Sequence, residues 1–354
     1  MIITRYLSRQ VLLTTAALTF ILLIVVVLGR LLRYLAQASQ GELDPGVLLL
    51  LMAYRVPDFL QLILPLALLL GILLAYGRMY AESEMTVLSA CGVSPGKLLR
   101  LTLVPTLGIT VVVAALALWL TPRGLVNTAS LIEAQKDLNE FDVLVPGLFL
   151  NIGRGARTTY AEASVGGELR QVFMHQAEGN RVIFAESAIP IEDADGERFI
   201  QFRNGSFSEG EPGTDDFEMT TFSEFGVRVP QREITFDIVL EEEALPTTDL
   251  LGASEPKQAA ELQWRLSLVI IIPVLALLAV PLSRVSPREG RFARIVPAIL
   301  VYIAYFALLL AARDKLADGE LPPVIGLWWI HLLFLAGGWL LFTGGLVLPW
   351  RRHA

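Results

Sequence analysis

The chain has 354 residues, 54% of them hydrophobic, and a formal net charge of −7. Charge-free runs of the length found here exceed what one water-soluble core of this size can bury, which excludes an ordinary soluble domain. A single cysteine, Cys91, excludes a disulfide-stapled fold as well.

The first apolar run, Val11 to Leu28, is long enough to cross a bilayer. It is longer than the apolar core of a secretory signal, and no small-x-small cleavage site precedes the next segment, so it reads as a retained helix. Arg30 and Arg33 stand i, i+3 at its far end. They read either as snorkelling arginines that set helix depth or as a pair that grips a phosphorylated amphiphile through charge-assisted hydrogen bonds. Comparable runs follow at Phe59 to Tyr76 and Leu101 to Leu120.

Between those two, Tyr80 to Pro95 reads as a short amphipathic helix ended by Gly92 and Pro95, with Glu82 and Glu84 ahead of Met85, Val87 and Leu88. It is either a solvated loop helix or a coupling helix that lays its apolar face on a soluble partner, with a carboxylate as the orienting contact. Gly92 to Leu98 imitates a phosphate loop but is one residue short, and Leu98 stands where a magnesium-holding hydroxyl belongs. It therefore offers no nucleotide site.

The stretch from Thr121 to Trp264 carries 11 Lys and Arg against 26 Asp and Glu, whereas the rest of the chain carries 17 against 9. It reads as an inserted domain whose acidity argues against nucleic acid as a partner. A short helix over Leu125 to Asn139 opens it. Strand signals follow, most clearly the alternation of Ile234, Phe236, Ile238 and Leu240 with polar residues. Turn signals recur at Gly166-Gly167, Gly179-Asn180, Asp195-Gly196, Asn204-Gly205 and Pro212-Gly213, a spacing that predicts an antiparallel sandwich or open barrel. Glu241 to Pro256 is a linker back to the membrane, where Trp264 suits the interfacial belt and Arg265 a headgroup.

Three more apolar runs close the chain, Leu266 to Leu282, Ile295 to Ala312 and Val324 to Leu348, giving six transmembrane helices arranged 3+3. The expected division is a membrane region over 1–120, an extracytoplasmic antiparallel β domain with linkers over 121–264, and a second membrane region over 265–354. Short connections hold 11 Lys and Arg on one side and 5 on the other, so both termini are expected in the cytoplasm and the acidic domain outside. The histidines His175, His331 and His353 are scattered and carry no metal-site spacing, and His331 reads as an interfacial or helix-packing residue rather than a proton relay. No serine or cysteine has a visible base partner.

Several short segments together carry a resemblance. They are Met1-Ile2-Ile3-Thr4-Arg5-Tyr6-Leu7, Leu62-Ile63-Leu64-Pro65-Leu66, Tyr80-Ala81-Glu82-Ser83-Glu84, Ala90-Cys91-Gly92, Ala260-Glu261-Leu262-Gln263-Trp264-Arg265, Val280-Pro281-Leu282-Ser283 and Pro287-Arg288-Glu289-Gly290-Arg291. In order and layout the chain resembles the LptF/LptG permease family of Gram-negative lipopolysaccharide export, its LptF branch the nearer. The resemblance implies an inner-membrane ABC transporter with two related permeases, this one and an LptG-type subunit, each bearing a periplasmic β-jellyroll. It also implies an LptB-type cytoplasmic ATPase dimer that binds the ATP, no cofactor in this chain, and an LptC/LptA-type periplasmic bridge.

By the same resemblance Glu84 is the coupling carboxylate, with Glu82, Met85 and Leu88 around it, and Arg30 and Arg33 contact the lipopolysaccharide headgroup. Lipid is expected to enter between the first helix of one permease and the fifth of the other. Since each exposed CH₂ costs about 0.8 kcal/mol, acyl chains must pass into another apolar groove. Phe173, Ile183, Phe236 and Ile238 are the expected lining. The alternative reading is a membrane-anchored sensor or scaffold whose β domain binds partners. A lipid-modifying enzyme is disfavoured by the lack of paired acid and base groups.

Overall fold

A computed structural model of the chain describes residues 2–39, 45–136, 146–152, 157–177, 180–192, 198–210, 217–228, 241–252, 255–284 and 294–344. The chain divides into two compact units. A helical one comprises Met1–Leu28, Tyr54–Asn127 and Val239–Ala354, and a second, holding the sheet, comprises Gly29–Ala53 and Thr128–Ile238.

Among the described residues, five helices are long and apolar enough to cross a membrane. α1 runs Ile2–Ser39 and α2 Leu48–Ala81. α3, Glu84–Ala90, is a two-turn connector to α4, Pro95–Ala115, which continues through a π-helical stretch, Leu116–Leu120, into α5, Thr121–Lys136. After the sheet come the one-turn helices α6, Glu241–Ala244, and α7, Thr247–Leu250, then α8, Pro256–Leu282, α9, Ile295–Ala317, and α10, Trp328–Thr343. The sixth apolar run starts later than its composition suggests. Val324 to Leu327 form a turn, and α10 has 16 described residues. Gln263 sets that entry: its amide donates to the Pro323 carbonyl at 2.7 Å and accepts from the Leu327 N–H at 3.0 Å. Gly326 has a φ of 36°, which favours glycine, and a Cβ there would push the Gln263 amide out of these two bonds.

α8 is the hub of the helical unit, packing against α4, α9 and α10 and buried along nearly its whole length. α9 turns Ala298, Tyr302, Tyr305, Leu309, Ala312 and Leu316 inward. Their alternating spacing of four and three keeps one face on a neighbour. α1 is attached differently. Leu7, Val11 and Thr15 form an i, i+4, i+8 buried stripe, and from Ala16 to Arg33 no residue is buried. The crossing with α2 is close, since a Cβ on Gly71 would strike Thr15. Thr102, Thr106 and Thr110 donate their hydroxyls to carbonyls four residues back, at 2.8–2.9 Å, which satisfies polar groups inside an apolar helix.

Among the described residues the second unit holds a six-stranded antiparallel meander of β1, Leu150–Ile152, β2, Arg157–Val165, β3, Glu168–Gln176, β4, Arg181–Glu192, β5, Arg198–Glu209, and β6, Glu218–Arg228. Gly166-Gly167 makes the expected β2–β3 turn, whereas Asn204-Gly205 lies inside β5. Asn204 takes the left-handed conformation there, at a crease rather than in a hairpin turn. From β2 to β6 each ladder skips one pair along the line Glu162, Gln171, Glu186, Asn204 and Ser223. Gln171 and Asn204 both adopt φ of 49°.

Across the crease the buried parity changes while the register does not. On one side the core takes Ala161, Val172, Met174, Ile183 and Ala185; on the other it takes Leu169, Ala188, Ile200, Phe202 and Val227. Gly205 sits where a Cβ would collide with the Phe184 carbonyl. The alternating segment with Phe236 and Ile238 lies outside the described residues.

Candidate functional site

α2 ends at Ala81, and Ser83, with φ of 62°, breaks the helix so that α3 leaves at an angle. Glu82 therefore lies in the joint rather than on the short helix, 3.9 Å from Arg78 in an exposed pair. Glu84 opens α3 and accepts a 2.8 Å hydrogen bond from the Tyr6 hydroxyl of α1. At the other end Gly92, with φ of 86°, and the Val93 N–H donating to Leu88 O close the helix. Ser94 caps α4 by accepting from the Lys97 N–H at 3.3 Å, and Pro95 fills its first turn.

The apolar side of α3 faces inward, a correction to the expected partner-facing surface. Met85 is buried in the core of the helical unit and Leu88 packs against it. These two residues seat the helix. The surface left open consists of Thr86, Val87, Ser89, Ala90 and Cys91 beside the half-buried Glu84. An amphipathic pattern states that one face is covered, and here the chain itself covers it.

Arg30 is half-buried and Arg33 exposed near the end of α1, on either side of a stretch leading to buried Tyr34. In the sheet, Phe173 and Ile183 do not share a groove. The register sets Met174 opposite Ile183 and Phe173 opposite Phe184, so the two side chains leave opposite faces. Ile183 belongs to the core. Phe173 belongs to a row of rings, Phe149, Tyr160, Phe173 and Phe184, with successive centroids 4.8, 6.1 and 5.1 Å apart when Phe149 is taken against both Tyr160 and Phe173. This row and the polar residues of the crease, Gln171, Glu186, Asn204 and Ser223, line an open cavity of about 1030 Å³. Alternation within one strand could not show it, because the row is made by the register that sets Tyr160 opposite Phe173 and Phe173 opposite Phe184.

Trp264 and Arg265 also depart from expectation. Neither points to a headgroup; both are buried. Arg265 donates to Glu261 Oε1 at 2.8 Å, to Thr247 Oγ1 at 2.8 Å, and to the carbonyls of Leu245, Glu243 and Glu242 at 3.0, 3.0 and 3.3 Å. It thus caps the carbonyl end of α6 and clamps the returning linker to α8. Thr247 passes the connection on by donating to Leu118 O at 2.7 Å. Arg313 of α9 donates to Glu243 at 2.7 Å and to Glu261 at 2.9 Å, and lies 5.2 Å over the Trp264 ring. The sequence signal was the i, i+4 pair Glu261 and Arg265 on an otherwise apolar helix.

His331 joins three helices. Its Nδ1 lies 2.6 Å from the Tyr305 hydroxyl and its Nε2 lies 2.9 Å from Ser267 Oγ, all buried. This is a helix-packing arrangement linking α8, α9 and α10.

The family model for the lipopolysaccharide export system permease LptF/LptG matches residues 5–344. The lipopolysaccharide export system permease protein LptF of Escherichia coli strain K12 is 30% identical over 341 residues, covering 95% of this chain and 93% of that protein. LptF of Shigella flexneri is similar to the same extent, again 30% identical over 95% of this chain and 93% of its own.

Proposed function

The chain belongs to the LptF/LptG family of lipopolysaccharide export system permeases, and from that premise we propose that it is the non-catalytic membrane subunit of an ABC transporter that extracts lipopolysaccharide from the inner membrane. In this reading an LptG-type permease completes the membrane pair and an LptB-type dimer binds and hydrolyses ATP on the cytoplasmic side, against α3. An LptC/LptA-type bridge receives the lipid in the periplasm, where the sheet lies. Glu84, flanked by the open surface of α3, is the contact that orients the ATPase.

The observation that supports the reading most directly is the uneven burial of the helical unit. α8 is enclosed, whereas α1 and α9 leave apolar flanks open, among them Phe20, Ile21, Val25 and Leu28 on α1 and Val296, Leu300 and Ile303 on α9. Bare flanks of this kind suit the two sides of a lateral entry made with a second permease. Moving a fatty chain out of the bilayer costs about 0.8 kcal/mol per CH₂, on the order of ten kcal/mol for a whole chain in bare water. The aromatic cavity at the crease of the sheet, with Phe173 and Phe184, offers a place that avoids part of that cost.

Arg30 and Arg33 are assigned to the phosphorylated headgroup. Reversing both to glutamate removes charge-assisted hydrogen bonds of about 1.5–3 kcal/mol each and adds repulsion. Lipopolysaccharide co-purifying with the complex is then expected to fall by at least about tenfold, while ATPase docking is unchanged. Equal loss of both would show that the arginines hold the fold rather than the lipid. The reading as a whole is tested by native mass spectrometry of the chain released gently from its own membrane. A second permease, an ATPase dimer and lipopolysaccharide are expected with it; ordinary phospholipid and a signalling partner alone would favour a scaffold.

A further inference from the structure

We propose that Tyr6 is a positioning residue for transport: its hydroxyl ties the foot of α1 to Glu84, so that a displacement of α3 by the ATPase is delivered to α1. The proposal rests on the reading of Glu84 as the ATPase contact. Three observations carry it. Tyr6 donates to a Glu84 carboxylate oxygen at 2.8 Å across 78 residues of sequence, joining two helices that share no turn. Up to Arg33 the buried residues of α1 are Leu7, Val11 and Thr15, all toward this end, and none from Ala16 to Arg33 is buried. Finally, α3 is not a loose loop. Met85 seats it in the core, and the left-handed Ser83 and Gly92 fix its two ends, so it moves as a piece.

A carboxylate has two oxygens and several lone pairs, so Glu84 can accept from a partner cation and from Tyr6 at once. Withdrawal or rotation of that carboxylate pulls on the hydroxyl, and through it on the end of α1 at which Leu7, Val11 and Thr15 are buried. Phenylalanine at position 6 keeps the ring and loses only the tether.

The test is Tyr6→Phe in the complete permease–ATPase complex in proteoliposomes containing lipopolysaccharide. Three quantities are followed: subunit composition by native mass spectrometry, ATP hydrolysis, and lipopolysaccharide released to a soluble acceptor. The expected result is an intact complex with hydrolysis near the wild-type rate, and a fall of about two- to tenfold in lipid released per ATP, the range a single hydrogen bond of modest net strength commands. A purely structural role would lower assembly and both rates together, and that outcome, like an unchanged ratio, overturns the proposal. If the wild-type complex itself shows no ATP-driven release, the underlying transport reading fails, visibly in the control arm, and the proposal falls with it.

Discussion

Arg265→Ala is expected to lower the stability of the helical unit by about 3–5 kcal/mol, the scale for breaking a buried ion pair by removing one partner. The guanidinium serves one carboxylate, one hydroxyl and three backbone carbonyls, and it is almost fully buried. Alanine leaves Glu261 with Arg313 alone and strips the carbonyls of Glu242, Glu243 and Leu245 of this donor. Arg265→Lys keeps the charge but cannot reproduce the planar fork, so an intermediate loss is expected. The checks are a thermal melt in detergent and limited proteolysis over 241–252, which should become the first site cut. An unchanged cleavage pattern would mean that the linker is held by other contacts.

Glu84→Ala is expected to weaken docking of the ATPase dimer by about ten- to a hundredfold, corresponding to one charge-assisted hydrogen bond of about 1.5–3 kcal/mol. The melting temperature should barely move, because Glu84 is only half-buried while Met85 and Leu88, which seat the helix, are untouched. Glu82→Ala is the matched control. Glu82 lies in the joint and pairs with Arg78 at 3.9 Å in an exposed setting, where ion pairs contribute little. Titration of the purified permease pair with the ATPase separates the two. Equal losses at both positions would mean that the negative charge of the segment matters rather than this one carboxylate.

Much of the architecture was legible because it depends on length and punctuation. An uninterrupted apolar run of about 20 residues has few fates besides a membrane helix, and Gly92, Ser94 and Pro95 end one helix and start the next with little help from tertiary structure. The facing side of α9 could also be read, since Ala298, Tyr302, Tyr305, Leu309, Ala312 and Leu316 recur at helical spacing. What could not be read depends on partners distant in sequence. Arg265 looks like a headgroup ligand until the carbonyls of α6 are seen around it, and backbone carbonyls leave no trace in composition. His331 acquires its role from Ser267 and Tyr305 on two other helices.

The sheet is the clearest instance of a local signal used unexpectedly. Asn204-Gly205 is ordinary hairpin chemistry, yet it sits mid-strand and, with Gln171, creases the meander and changes which residues face the core. Strand phase counted from one side of that crease is wrong on the other. Phe173 and Ile183 lie on the same side of it, and they face opposite ways because the β3–β4 register pairs Phe173 with Phe184 and Met174 with Ile183, which neither strand shows alone. The amphipathicity of α3 shows the same limit. Its pattern reveals a covered side, and only the structure shows that Met85 turns that side toward its own chain.

The most direct measurement is release of lipopolysaccharide from proteoliposomes that contain this chain, its partner permease and the ATPase dimer, with a soluble periplasmic acceptor outside. Release that requires ATP and is lost when any one of these subunits is omitted is the expected result. Release that proceeds without ATP, or none at all from a complex shown to be intact and hydrolysing ATP, would contradict a permease that lifts lipopolysaccharide out of the membrane.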